Sequence, residues 1–196
     1  DGYTDGSFRP DQLLRRGEMA RYLAMGANVR QALPLNGVAS FTDVAKTDSL
    51  YPFAEAVIGK GAPLRDLSNA HDGVMGTVNG QFRPNDYVTR VSLAYSLVQA
   101  MGLQGEAHAF NGELTAFYDG KRIAIDDAAS IPASLRGYVQ LALDRGLINA
   151  RFAVTQGPFD LQPTLHAYFD PSKTVTRAAY AVAAGRYLSA YRAAED

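Results

Sequence analysis

A three-residue phrase occurs three times in this chain, as Phe8-Arg9-Pro10, Phe82-Arg83-Pro84 and Phe169-Asp170-Pro171. Eight residues after each Phe stands an Arg (Arg16, Arg90 or Arg177), at the mouth of an amphipathic helical stretch. Repetition at a fixed internal spacing means that one supersecondary unit has been copied, and that neighbouring copies share a core.

The second copy is the most complete. Phe41-Thr42-Asp43-Val44 opens it, and a helix is predicted from about Leu50 to Lys60, with Gly61 and Pro63 placed to end it. A polar, Gly-rich segment leads to Phe82, and Thr89 precedes a second helix whose face is Leu93, Leu97, Ala100 and Met101, closed by Gly102. In the third copy Ile125-Asp126-Asp127-Ala128 matches the opening phrase. A helix from about Ser134 to Arg145 follows, then a longer connection, Ala150 to Ala167, and the helix begun by Thr176. From opening phrase to Phe these two copies measure 41 and 44 residues. The first copy has only the second half of the unit, with Met19, Tyr22 and Leu23 on its helix. The expected division is residues 1–35 for that half, 41–104 for repeat two, 105–124 for a linker and 125–194 for repeat three, all in one module. Phe110, Leu114, Phe117 and Tyr118 suit the linker to packing. The chain opens abruptly on Asp1-Gly2-Tyr3, inside a repeated turn and with no leader pattern, which reads as a piece of something longer.

Composition narrows the function. A net charge of −1 leaves no basic footprint for nucleic acid. With no cysteine there are no disulfides, thiolate metal sites or cysteine nucleophiles. No apolar run approaches the roughly 20 residues of a membrane helix. His71, His108 and His166 are scattered without metal-ligand or triad spacing, and the Asp-Gly pairs at 1–2, 5–6 and 72–73 read as turns rather than calcium loops. No cofactor, metal or catalytic role is expected.

The unit Phe-x-Asp-Val, helix, Gly-Tyr-x-Asp-Gly-x-Phe-x-Pro turn and Thr-Arg-Ala-Glu helix start resembles the S-layer homology domain. Gly2-Tyr3-Thr4-Asp5-Gly6-Ser7-Phe8-Arg9-Pro10 matches the turn closely. Arg15-Arg16-Gly17-Glu18, Thr89-Arg90-Val91-Ser92 and Thr176-Arg177-Ala178-Ala179 look like drifted versions of the helix start. The resemblance covers nearly the whole chain, each motif being weak alone and specific in order and repetition. It implies an all-α fold, tandem repeats in a pseudo-threefold helical spindle. It also implies an extracellular, cell-surface or cell-wall role: tethering an exported protein, through upstream domains of the same chain, to anionic secondary cell-wall polysaccharide, pyruvylated sugars included. By resemblance Arg16, Arg90 and Arg177 are the ligand contacts.

Elementary chemistry suits those positions to the task. An Arg at the first helical residue stands beside unsatisfied amides and the positive helix end, where a carboxylate or phosphate is held by a two-pronged guanidinium. An ion pair to an acid of a neighbouring repeat, Asp43 or Asp127, would use the same Arg structurally. The Phe and Pro of each turn are expected to be structural, and the stripe Tyr180, Tyr187, Tyr191 to be core.

Three departures from the family pattern stand out. There is no Trp, and Tyr51 is the aromatic nearest its usual place in the second copy. The signature Glu survives only as Glu18, where Thr has become Arg15, so no copy is expected to keep a full capping box. The insert from Thr155 to Ala167 is placed to cover a groove. The candidate glycan-binding set is therefore Arg16, Arg90 and Arg177, with Asp43, Asp127 and Tyr51. A module that docks against protein or its own copies, with glycan binding lost, is the alternative.

Overall fold

A computed structural model describes residues 3–27, 39–60, 70–159 and 161–193. Gly61, Pro63 and the connection at 28–38 lie outside the described residues. Helix α1 (Arg16–Gly26) belongs to the first copy. The second copy holds α2 (Tyr51–Ile58) and α3 (Arg90–Ala100), followed by the short α4 (Gln104–Ala109) and the hairpin β1 (Thr115–Tyr118) and β2 (Lys121–Ala124). The third has α5 (Arg136–Asp144), the hairpin β3 (Arg151–Thr155) and β4 (Thr164–Tyr168), and α6 (Arg177–Ala193).

The expectation of an all-α spindle is overturned. The chain is mixed α/β, with two small antiparallel sheets in the stretches expected to be linker and connection. The first hairpin pairs Thr115 with Ala124 and Tyr118 with Lys121 across Asp119-Gly120. Both turn residues have positive φ, 46° and 74°. That two-residue geometry follows the right-handed twist of the strands, and Asp-Gly is suited to it. The second hairpin pairs Arg151 with Tyr168 and Thr155 with Thr164. Ile125, just after β2, bridges to Ala167 of β4 in parallel, so the two hairpins meet at the opening phrase of the third copy. Leu114 is buried under the first hairpin, whereas Phe117 and Tyr118 face outward. At the tip of the second hairpin, Phe159 and Leu161 are 95% and 99% exposed.

Three backbone hydrogen bonds close the copies into a ring. Leu14 N–H donates to Val175 O at 2.8 Å, Val175 N–H to Val88 O at 2.9 Å, and Val88 N–H to Leu14 O at 2.9 Å. All three residues are buried. Around them Met19, Leu23, Leu97, Phe82, Phe169 and Tyr187 fill the core. The tyrosine stripe of α6 is buried as expected, and Tyr180 stacks on Tyr22 of α1 with ring centroids 5.5 Å apart. The Gly102 and Gly146 amides cap α3 and α5 by donating to Gln99 O and Leu143 O.

Candidate functional site

The repeated turn is the element on which the site is built. Its central residue (Arg9, Arg83 or Asp170) is left-handed in every copy, with φ of 53°, 57° and 54°. A non-glycine residue stays in that region only when its surroundings fix it. Asp43 supplies the fixing in the second copy: its two carboxylate oxygens accept the amides of Phe82 and Arg83 at 2.8 and 2.7 Å. Asp127 does the same for Phe169 and Asp170, at the same distances. Both Asp residues thus clamp the turn of their own copy, and neither forms an ion pair with a signature Arg.

Each signature Arg is the first residue of its helix and reaches the turn of the next copy around the ring. Arg16 Nε donates to Phe82 O at 2.9 Å, Arg90 Nε to Phe169 O at 2.7 Å, and Arg177 Nε to Phe8 O at 2.9 Å. Each guanidinium also lies 5.0–5.2 Å from the centroid of the same Phe ring, within cation–π range. The first two helical amides were expected to be open to an anion, and they are not. Arg90 N–H donates to Lys173 O and Val91 N–H to Pro171 O; the corresponding bonds run from Arg16 and Gly17 to Asp86 and Pro84, and from Arg177 and Ala178 to Gln12 and Pro10. The turns therefore cap the helices.

A capping box expected to be lost is present in α3. Thr89 N–H donates to Ser92 Oγ at 3.0 Å and Ser92 N–H to Thr89 Oγ1 at 3.4 Å, with Ser standing in for Glu. In α1, Glu18 Oε2 accepts from the Arg15 amide at 2.9 Å.

Beyond these shared bonds the junctions differ. Arg177 is 4% exposed, and its Nη1 donates to Glu18 Oε1 at 2.9 Å and to Tyr22 Oη at 2.7 Å. Burial works to lower its pKa but is outweighed by the Tyr22 hydrogen bond and the nearby Tyr22, Tyr3 and Glu18, so the net shift is upward. Arg16 and Arg90 shift the other way, because burial disfavours their charge more than neighbouring acids favour it. Both stay charged at any physiological pH. Arg16 Nη2 donates to Gly76 O at 2.6 Å and Arg90 Nη2 to Asn149 O at 2.8 Å.

Arg90 opens on a groove of about 450 Å³ between α3 and α6, with Asn149, Lys173 and Arg186 on its wall and Leu93 and Val182 among its apolar lining. Among the described residues, no carboxylate lines it. The nearest acids are engaged elsewhere, Asp127 by the turn amides and Asp170 by a two-pronged pair with Arg151 at 2.9 and 3.0 Å. Tyr51, the first residue of α2, is 8% exposed, and burial pushes its hydroxyl pKa up, with the Glu55 charge adding to the shift. Lys173, Arg186 and Asn149 are the groove residues that sequence reasoning missed. They come from a turn, a helix and a loop, and only the ring brings them together.

One further cluster had no signal in the spacing. His166 Nδ1 meets Asp126 Oδ2 at 2.5 Å and its Nε2 meets Thr155 Oγ1 at 2.8 Å. This chain of bonds crosses the exposed face of the second hairpin and ties it to the third opening phrase. It lies outside the Arg90 groove.

Among known proteins, the family model described as S-layer homology domain matches residues 1–20, which span the first turn and the start of α1. That match bears out the family resemblance in the first copy. No curated protein matches the chain.

Proposed function

We propose that this chain is a non-catalytic anchoring module that binds an anionic cell-wall glycan in the groove at Arg90 and so tethers an exported protein to the cell surface. S-layer homology domains are cell-surface modules that bind wall polysaccharide, and the match to residues 1–20 supports the reading. One observation carries it: a groove at a repeat junction that gathers Arg90, Lys173 and Arg186 with no acid among its lining. Three cations around an apolar floor suit a ligand with a carboxylate on a sugar ring, the ring lying on the aliphatic lining and the charge meeting the guanidiniums. Arg16 and Arg177 stand at the other two junctions, the latter already engaged by Glu18 and Tyr22, while Asp43 and Asp127 serve by holding the turns in place.

The test is retention on wall sacculi, native or stripped of secondary polymer. Wild-type protein is expected to sediment with native sacculi and to remain in solution with stripped ones. Arg90→Ala removes a charge-assisted contact of about 1.5–3 kcal/mol, one to two decades in affinity. Arg90→Lys recovers only part of this, because an ammonium cannot present a planar fork. Unchanged retention of folded Arg90→Ala would refute the reading.

Docking to protein has its own observation. Phe117, Val154, Phe159 and Leu161 are exposed on the two hairpins, and exposed apolar groups on hairpins suit contact with protein. Light scattering separates this reading from the first, since self-association through the hairpins is independent of wall polymer.

A further inference from the structure

The ring sets up an internal comparison among the three junctions. Each signature Arg faces the helix of the next copy, and the residues it meets there are set by position along that helix. Arg177 meets Glu18 and Tyr22, two and six residues after Arg16 in α1. The same positions in α6, facing Arg90, are Ala179 and Ala183, and both line the Arg90 groove. Ser92 and Ser96 hold those positions in α3.

We propose that Ala179 and Ala183 open the Arg90 junction to ligand, whereas Glu18 and Tyr22 close the Arg177 junction by supplying from within the chain the carboxylate and hydroxyl that an acidic sugar would bring. This rests on the glycan-binding reading above and deepens it, because it names the residues that decide which junction is open.

The geometry at Arg177 shows what fits such a guanidinium. A carboxylate oxygen and a hydroxyl oxygen both sit on Nη1, at 2.9 and 2.7 Å, while Nε keeps its bond to the turn. At Arg90, Nε is held by Phe169 O in the same way, Nη2 is held by Asn149 O, and Nη1 donates to no described residue. Truncating a Glu and a Tyr to Ala leaves room for a ligand that presents both groups, and Lys173 and Arg186 add the charge to hold it. The ligand class is a sugar bearing a carboxylate close to a free hydroxyl.

The experiment uses the whole chain, wall polymer released from sacculi, and the same polymer with its carboxyl groups chemically reduced. Ala179→Glu recreates the Arg177–Glu18 pair at Arg90. It also places Glu three residues after Thr176, a capping box, so α6 is expected to keep its stability. Wild-type protein is expected to bind native polymer and to lose at least tenfold in affinity for the reduced polymer. Ala179→Glu is expected to lose at least tenfold for native polymer, with an unchanged thermal melt. Ala183→Tyr, which fills the groove without adding charge, is the second variant and is expected to weaken binding as well. Native polymer bound equally by wild type and both folded variants would overturn this inference while leaving the glycan reading standing. A wild-type protein that binds neither polymer would overturn both.

Discussion

The hydroxyl of Tyr187, in the last helix, donates to the carbonyl of Ala27, which caps the C-terminus of the first, at 2.9 Å. It also lies 3.3 Å from Ala100 O at the end of α3. One buried side chain thus serves the ends of two other helices, whose last carbonyls have no partner inside the helix. Tyr187→Phe keeps the ring and removes the donor, so a cost of about 1–3 kcal/mol is expected. Tyr187→Ala also empties a core position and is expected to cost about 3–5 kcal/mol. Urea unfolding followed by circular dichroism measures both, and equal stability of wild type and Phe variant would show that water satisfies those carbonyls.

Gly137 sets how closely α5 approaches α4. A Cβ there would lie 1.8 Å from the backbone oxygen of Ala107, so the two helices would have to separate. Gly137→Ala is expected to cost at least about 3 kcal/mol, beyond the usual overpacking penalty, because backbone cannot rotate away. Gly105 in α4 meets nothing within 4 Å. Gly105→Ala is expected to shift stability the other way, by up to about 1 kcal/mol. Thermal melts of the two variants should move in opposite directions.

Removing the Asp127 carboxylate leaves the Phe169 and Asp170 amides without their acceptor. Asp127→Ala is expected to destabilise by about 1–3 kcal/mol for each amide that water cannot reach. Amide hydrogen exchange is the direct readout: protection at Phe169 and Asp170 should fall by more than at Phe82 and Arg83, which Asp43 holds. Loss of protection spread evenly over both turns would contradict a local clamp.

Acid should loosen the second hairpin through Asp170. Its bidentate hydrogen bonds from Arg151 hold the carboxyl below the ordinary value of 3.8, against a smaller upward push from burial. A depressed carboxyl stabilises the fold above the unfolded value, near pH 4, and that contribution is lost as pH falls through the folded one. Arg151→Gln should move the Asp170 titration back up towards 3.8, followed by carbon NMR of its carboxyl. An unmoved midpoint would assign the shift to another neighbour.

The parts of this molecule legible in the sequence are those whose signal is local. The constant distance from Phe to Arg located the first helical residue in all three copies, and Gly102 marked the end of α3. The Asp119-Gly120 turn was missed, because its strands are only four residues long and lie where a linker was expected. Arg151–Thr155 and Thr164–Tyr168 are separated by a long tip, which erases the two-residue turn signal. The occupied amides of Arg90 and Val91 could not be read at all, because their acceptors, Lys173 and Pro171, belong to another copy. The loss of the signature Glu at Ala179 was visible as a departure. That it vacates space in front of Arg90 depends on which copy follows which around the ring.

The three bonds among Leu14, Val88 and Val175 also bear on how the protein comes apart. An open array of repeats can fray from either end, each unit leaning only on its neighbours. Here the first copy is held by both the second and the third. The segments that must meet are far apart in the chain, which slows closure. Unfolding should therefore pass through a single transition, with a long-lived native state once the ring has shut.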